Sequence, residues 1–331
     1  MTLIERVPLS VLDLATVREG HSSADALRGT IAIARTADEL GYRRFWVAEH
    51  HNMPAVASTA PPVLIASVAA QTRTIRVGSG GVMLPNHMPF VVAEQFAILE
   101  ALHPGRIDLG IGRAPGTDQA TAAALRGVSP YLTVEQFPDH LRTVLALLGD
   151  DRIDPGPAAR LRATPVAESH PEVWMLGSST YGAQVAAALG LPFCYAYHFA
   201  MGSDVDTALQ LYRAGFQPSP RFPEPYPMVS ASVIAAGTTA EAQFLAGPSR
   251  VMVQSLRTGG RLGPIVAPEN ATDLDPSLPG TQYAGTAEEV VAGLDALVER
   301  TGARELMLAG TVYDPATRQD TLARIAKAWG L

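Results

Sequence analysis

Eight times along this chain a short apolar run gives way to a segment of helical periodicity, and no other feature restricts the fold so tightly. The runs are Pro8 to Ala15, Phe45 to His51, Ile75 to Leu84, Arg106 to Arg113, Val173 to Gly177, Phe193 to His198, Val229 to Ala236 and Glu305 to Tyr313. Their β-branched and leucine content, with glycine or proline nearby, reads as strand. Leu27, Ile31 and Ala34 fall at helical spacing up to a stop near Gly41. Further helices are expected at about Pro62 to Gln71, Phe90 to Leu102, Glu135 to Leu148, Tyr181 to Leu189, Asp204 to Ala214, Thr239 to Arg250, Ala287 to Arg300 and Ala316 to Trp329. Strands separated by helices pair in parallel through right-handed crossovers. Eight such units in 331 residues predict an α/β chain that closes as one (β/α)8 TIM barrel domain spanning 1–331. An open doubly wound sheet satisfies the same alternation, and counting elements does not separate the two.

Parallel strands covered on both faces need an apolar chain, and 47% hydrophobic against 17% charged residues meets that need. Three segments interrupt the pattern. Residues 149–171 and 257–283 are rich in Pro, Gly and Asp and read as long loops, the second as a lid. Prolines at 218, 220, 223, 225 and 227 read as a stiff connection into the seventh strand rather than a polyproline ligand. Val173 to Gly202 contains no charged residue, yet Gly177, Gly182, Gly190 and Pro192 divide it into strand, helix and strand, so it is not a membrane span. A net charge of −7 offers no basic surface to nucleic acid or anionic lipid. Cys194 is the only cysteine, which excludes an intrachain disulfide, argues against a zinc-thiolate site and suits a reducing cytoplasm. The N-terminus lacks a basic-then-apolar signal pattern.

In parallel barrels the groups that act on a ligand sit at the C-terminal ends of the strands. That rule selects Asp13, the Glu49 to Asn52 cluster, Gly80 and Gly81, Gly110 to Arg113, Gly177 to Tyr181, and Tyr197 with His198. Adjacent residues of a strand point to opposite faces, so His50 and His51 do not both reach one metal ion. One histidine is expected at the mouth as a proton donor or charge stabiliser, the other held structurally. Glycines at 78, 80 and 81 signal a bulge or close approach to a ligand, with tight packing as the plainer alternative. Gly110 to Gly116 departs from a dinucleotide fingerprint, because its third glycine comes one place late and Pro115 intrudes. Arg113 at a strand end suits a bidentate phosphate contact. Ser178, Ser179 and Thr180 beside Gly177 open a helix, where backbone amides bind anions. Together they imply a phosphorylated cofactor without identifying it.

The segments AEHHN (Ala48 to Asn52), VGSGGVMLPNH (Val77 to His87), EQFAILEALHPGRIDLGIGRAPG (Glu94 to Gly116) and LGSSTYGAQVAAALGLPF (Leu176 to Phe193) carry a resemblance. From about Leu9 to Tyr313 the chain resembles the bacterial luciferase-like flavin monooxygenases, most closely the single-chain branch related to the luciferase alpha subunit. The resemblance implies a homodimeric barrel enzyme that binds reduced FMN, supplied by a separate NAD(P)H:flavin reductase, and uses dioxygen. A flavin hydroperoxide would then oxygenate a small lipophilic substrate such as an aldehyde or ketone. By the same resemblance, His50 matches the histidine near the reacting part of the ring. Gly80 and Gly81 match a pair bearing a non-prolyl cis peptide beneath it. Arg113, Ser178 and Tyr181 match phosphate contacts, with Gly177 and Ser179 in the same loop. Two departures stand out. Gly112 occupies the place of a reactive cysteine of the light-emitting enzymes, which argues against luminescence, and Gly177 replaces a phosphate-side glutamate. Val82, Met83, Phe199 and Met201 would suit a lipophilic molecule, with a place in the core as the commoner role of such residues. A deazaflavin-dependent reductase or dehydrogenase, and a flavin-binding protein without turnover, are the alternatives.

Overall fold

The architecture comes from a computed structural model that describes residues 6–127, 129, 132–199, 204–258, 262–272, 274–275 and 280–331. Its strands are β1 (Leu9–Asp13), β2 (Arg44–Val47), β3 (Arg76–Met83), β4 (Ile107–Gly112), β5 (Glu172–Gly177), β6 (Phe193–Tyr195), β7 (Pro227–Ala235), β8 (Tyr283–Gly285) and β9 (Glu305–Ala309). Every pairing between them is parallel. Neighbours run β6-β5-β4-β3-β2-β1-β9-β7, and β6 pairs again with β7, so eight strands close into a cylinder. Closure removes the open-sheet alternative. β8 is not a stave, since it pairs only with Val233–Ala235 at the far end of β7. Three residues inside a loop give no periodic signal, so the sequence does not predict this strand.

The helices are α1 (Ser23–Glu39), α2 (Pro61–Ala69), α3 (Pro89–Leu102), α4 (Gln119–Arg126), α5 (Phe137–Leu147), α6 (Thr180–Ala188), α7 (Val205–Gly215), α8 (Thr239–Leu245), α9 (Gly247–Arg257), α10 (Ala287–Thr301) and α11 (Pro315–Trp329). Capping boxes start α1 at Ser22 with Asp25 and α10 at Thr286 with Glu289, each satisfying amides that a first turn leaves free. α4 fills the excursion after β4, capped by Asp118. The single helix expected over Thr239 to Arg250 is two, because Pro248 cannot sit inside a helix but suits the first turn of α9.

The main apolar core lies between the cylinder and its helices. Inside the cylinder, Leu12, Trp46, Trp174, Cys194, Met228 and Met307 form a second core. Burial pushes the Cys194 thiol well above its ordinary range, which makes it an inert filler. A charged plug closes the N-terminal end. Arg44, 1% exposed, reaches Asp108 at 2.9 Å, Glu172 at 2.8 Å and Glu305 at 3.0 Å, and lies 4.6 Å over the Trp174 ring. With that end sealed, chemistry is left to the C-terminal mouth. Above the mouth, Ile265 of the long loop exchanges backbone hydrogen bonds with Val17 and Glu19. Leu262 of the same loop packs on Ala55 and Val56. The proline-rich run turns at Ser219 and Phe222 and enters β7 at Pro227. Among the described residues no helix is long and apolar enough to cross a membrane.

Candidate active site

β2 stops at Val47 rather than at His51, and the residues after it turn into the mouth. Period-two geometry places Glu49 and His51 on one face and His50 on the other. Glu49 is fully buried, and its Oε1 accepts hydrogen bonds from His51 Nε2 and from His87 Nε2, each at 2.8 Å. Its Oε2 accepts the Met83 amide at 3.0 Å. Burial alone would raise the Glu49 carboxyl, but the His87, His51 and Met83 donors outweigh it and hold the group below its ordinary value. The three ligating atoms of Glu49, His51 and His87 lie within 4.8 Å of one another, a spacing a metal ion would also accept. Their hydrogen bonds already satisfy the carboxylate.

His50 hangs between two loops. Its amide donates to Ser58 O at 3.0 Å and its Nδ1 lies 3.2 Å from Gly116 O. A carbonyl only accepts, so Nδ1 carries the hydrogen and Nε2 is left as a lone pair. Burial lowers the His50 pKa, against smaller opposing effects of the Gly116 contact and Glu49. The loop after β4 is bound to the same turn by Thr117 Oγ1 donating to His51 O at 2.8 Å. Asn52 sits at φ +53, a left-handed conformation that asparagine tolerates.

The Gly80–Gly81 peptide is cis, with a register shift against β4 between Gly80 and Val82. A Cβ on Gly80 would lie 2.7 Å from Leu12 Cδ1, and one on Gly81 would lie 2.8 Å from Gly110 O. The Gly110 backbone therefore demands glycine at 81, whereas a Cβ at 80 would require the Leu12 side chain to shift. Val82 belongs to the main core and does not line a pocket, whereas Met83 is half-buried and Phe199 is exposed. Met201 lies outside the described residues. The apolar residues gathered over the mouth are instead Leu14, Met53, Ala55, Val56, Met252 and Leu262.

On the neighbouring wall, the Arg113 guanidinium carbon lies 4.2 Å from the centroid of the Tyr181 ring. No carboxylate pairs with Arg113 among the described residues. α6 begins beside it, and the Ser179 side chain at the N-cap makes no capping bond, so the first-turn amides keep their hydrogens free. Gly177 leaves room at this corner, since a Cβ there would meet nothing nearer than Gly182 Cα at 3.7 Å. Asp13 serves the turn after β1, accepting from Ala15 N at 2.8 Å and Thr30 Oγ1 at 2.6 Å. His198, beyond β6, holds Ser230 Oγ at 2.6 Å through Nδ1. Burial and the nearby His50 lower the pKa of His198 to about 4.

The structure thus brings Glu49 together with His51 and His87, His50 to the Gly116 carbonyl, and Arg113 together with Tyr181 at the start of α6. Sequence reasoning does not single out the roles of His87, Ser58 and Ser230. His87 is within its reach, because it follows the end of β3 by four residues and closes the distinctive segment Val77 to His87. Ser58 and Ser230 act on backbone or across strands and leave no sequence signature.

A closed parallel barrel with its polar groups collected at the C-terminal mouth defines a (β/α)8 enzyme. The luciferase-like monooxygenase family profile matches residues 7–305. A luciferase-like monooxygenase of Escherichia coli K12 is 42% identical over 321 residues, covering 94% of each chain. The chain belongs to this family and is an oxidoreductase of the monooxygenase class. The crystal structure of apo-MsnO8 is similar at 36% identity and TM-score 0.91, covering 98% of this chain and 99% of that one. The oxygenating constituent of 3,6-diketocamphane monooxygenase from Pseudomonas putida, solved with FMN, shares the fold at 20% identity and TM-score 0.71 over 98% of this chain and 97% of that one.

Proposed function

We propose that the mouth binds reduced FMN and that the protein uses it with dioxygen to oxygenate a small lipophilic substrate without emitting light. The observation that carries this reading is Arg113, without a carboxylate partner among the described residues, stacked on Tyr181 beside the uncapped start of α6. A dianionic phosphate supplies what that corner lacks: charge for the guanidinium and acceptors for the first-turn amides and for Ser178 and Ser179. The donor set therefore fits the phosphate end of FMN. The neutral His50 and the Gly80–Gly81 segment are left for the ring end. Bound there, reduced FMN would supply the two electrons that activate dioxygen, with one oxygen atom going to the substrate and the other to water.

The chain supplies the rest. Nε2 of His50 takes a proton from an N–H or O–H group at the ring edge and returns it, which burial favours by keeping the imidazole neutral. Of the 257–283 loop, the described part that is tied to Val17 and Glu19 through Ile265 shields the mouth from water, while residues 259–261, 273 and 276–279 lie outside the described residues. As the family resemblance implies, a separate NAD(P)H:flavin reductase delivers the reduced cofactor. The single buried thiol suits a cytoplasmic setting.

The homodimer expected from the resemblance also has physical support. α3 buries Val92, Phe96 and Leu99 on one side and leaves Val91, Ile98 and Leu102 exposed on another, with Met88 just before it and Val63 of neighbouring α2 exposed as well. A helix apolar on both sides calls for cover on both, and a second copy of the same face supplies it.

Titrating the protein with FMN under anaerobic reduction and in air tests the cofactor reading. Arg113→Ala should weaken FMN about ten- to hundredfold, the value of one charge-assisted contact. Equal affinity in the variant, or no binding by the wild type, refutes it.

A further inference from the structure

His50 follows β2 and His198 follows β6, and these staves stand four apart in either direction around the eight-stave cylinder. The two imidazoles therefore enter the mouth from opposite walls, near enough that charge on one bears on the other.

The partner of His50 fixes its tautomer, and that of His198 admits two, of which the proposal takes one. Gly116 O can only accept, so His50 carries its hydrogen on Nδ1. Ser230 Oγ has three contacts: Tyr195 O at 3.2 Å, the His198 amide at 3.3 Å and His198 Nδ1 at 2.6 Å. The Tyr195 carbonyl also accepts the Tyr197 amide at 2.9 Å, so the one hydrogen of Ser230 has two acceptors to choose from, Tyr195 O and His198 Nδ1. With the hydrogen on Tyr195 O and the His198 amide donating to Oγ, Nδ1 of His198 is the donor of the third contact and Nε2 is again a lone pair. The turn is pinned from its other side as well, where Gln282 Nε2 donates to Tyr197 O at 2.9 Å.

We propose that His198 is a second ligand-touching imidazole, oriented by Ser230 as positioning residue, so that with His50 it offers two bare Nε2 lone pairs to N–H or O–H groups of the molecule in the mouth. The inference rests on the mouth being the flavin site and deepens that reading. A reduced isoalloxazine carries N–H at its reacting edge where the oxidised ring carries a lone pair. Two acceptors facing that edge favour the first form and repel the second. Discrimination between redox states thus follows from tautomers set by a carbonyl and a serine.

The test has two arms. Long-range nitrogen–proton correlation spectra of protein labelled with 15N-histidine report which ring nitrogen is protonated, with His50→Gln and His198→Gln variants providing assignments. Both residues should show Nδ1–H, and Ser230→Ala should move His198 toward Nε2–H while leaving His50 unchanged. In the second arm, oxidised and anaerobically reduced FMN are titrated against wild type, His198→Gln and Ser230→Ala. The ratio of oxidised to reduced dissociation constants should fall about three- to tenfold in each variant, the worth of one neutral hydrogen bond. An Nε2–H signal from His198 in the wild type overturns the proposal, as does an unchanged ratio in Ser230→Ala, which keeps the imidazole and guards against a misfolded His198→Gln. A wild type that binds neither form of FMN is the failure of the flavin reading itself and takes this role with it. A wild type that binds FMN but does not discriminate through His198 is the failure of this inference alone.

Discussion

Glu49 is the residue on which the mouth depends most, and replacing it tests that dependence without any cofactor. Its two oxygens take three donors, His51 Nε2, His87 Nε2 and the Met83 amide, in a fully buried position. Leucine fills the same volume but leaves those donors without acceptors. At about 1 to 3 kcal/mol for each orphaned buried group, less the relief of no longer desolvating a carboxylate, Glu49→Leu should cost about 3 to 6 kcal/mol. Glutamine behaves differently. Its carbonyl accepts from Met83 N while its amide donates to both histidines, provided each ring shifts its hydrogen to Nδ1. Glu49→Gln should therefore cost only about 1 to 2 kcal/mol. Urea unfolding at pH 7 measures both. The pH dependence follows from the depressed carboxyl: the stability it contributes is complete above its ordinary value of 4.5 and is lost as pH falls through the lower folded value. The gap between wild type and Glu49→Gln should thus close on acidification below about pH 4.5. A Glu49→Leu protein within about 1 kcal/mol of wild type, or a gap that widens in acid, refutes the argument.

Other outcomes follow from the same contacts. His50→Ala should lower turnover while weakening reduced FMN by no more than about tenfold, the worth of one neutral hydrogen bond, as measured by oxygen consumption and titration; unchanged turnover removes His50 from the chemistry. Ile98→Asp combined with Leu102→Asp places charge on the exposed face of α3 and should convert a dimer to monomer in light scattering, whereas a wild type that is already monomeric sinks the dimer reading. Arg44→Met leaves the buried Asp108 and Glu305 and the half-buried Glu172 without their shared cation and should cost about 3 to 5 kcal/mol in unfolding experiments, while a neutral effect would show that the plug tolerates its loss.

The barrel is legible in the sequence because each stave repeats one signal, a short apolar run and then a helical period. Closure is not, since it depends on β6 meeting β7 and β9 meeting β1, contacts between residues far apart in the chain. Sequence and structure part where local signals are weak or easily passed over. β8 is three residues long, α4 lies in a polar excursion, and Gly247-Pro248 marks the break between α8 and α9. At the site, alternation along the chain after β2 is enough by itself to separate His50 from His51. The partner that Glu49 finds beyond β3, His87, requires the third dimension. At Gly80 and Gly81 the sequence leaves a bulge, a close approach to a ligand and tight packing open, and the structure shows a register shift there with Leu12 and Gly110 in the space a side chain would need.

The two ends of this cylinder solve opposite electrostatic problems. At the closed end Arg44 faces three carboxylates, with Arg76 2.6 Å from Asp108, so these buried charges are partnered by one another and leave nothing for a ligand to supply. At the open end the buried carboxylate of Glu49 is consumed by its histidines, His50 and His198 are kept neutral by burial, and Arg113, unpaired among the described residues, stands at the rim. Neutral lone pairs inside and an uncompensated positive charge outside are what a molecule with an anionic tail and an uncharged, hydrogen-bonding ring would complete. A doubly charged ligand lying wholly within the mouth would lose its hydration to groups that return no charge, and a neutral one would leave Arg113 and the start of α6 unanswered. On the proposed reading, that polarity would set the orientation of FMN, phosphate at the rim and ring toward the histidines, and would leave the apolar cluster of Leu262 and Met252 for a lipophilic substrate.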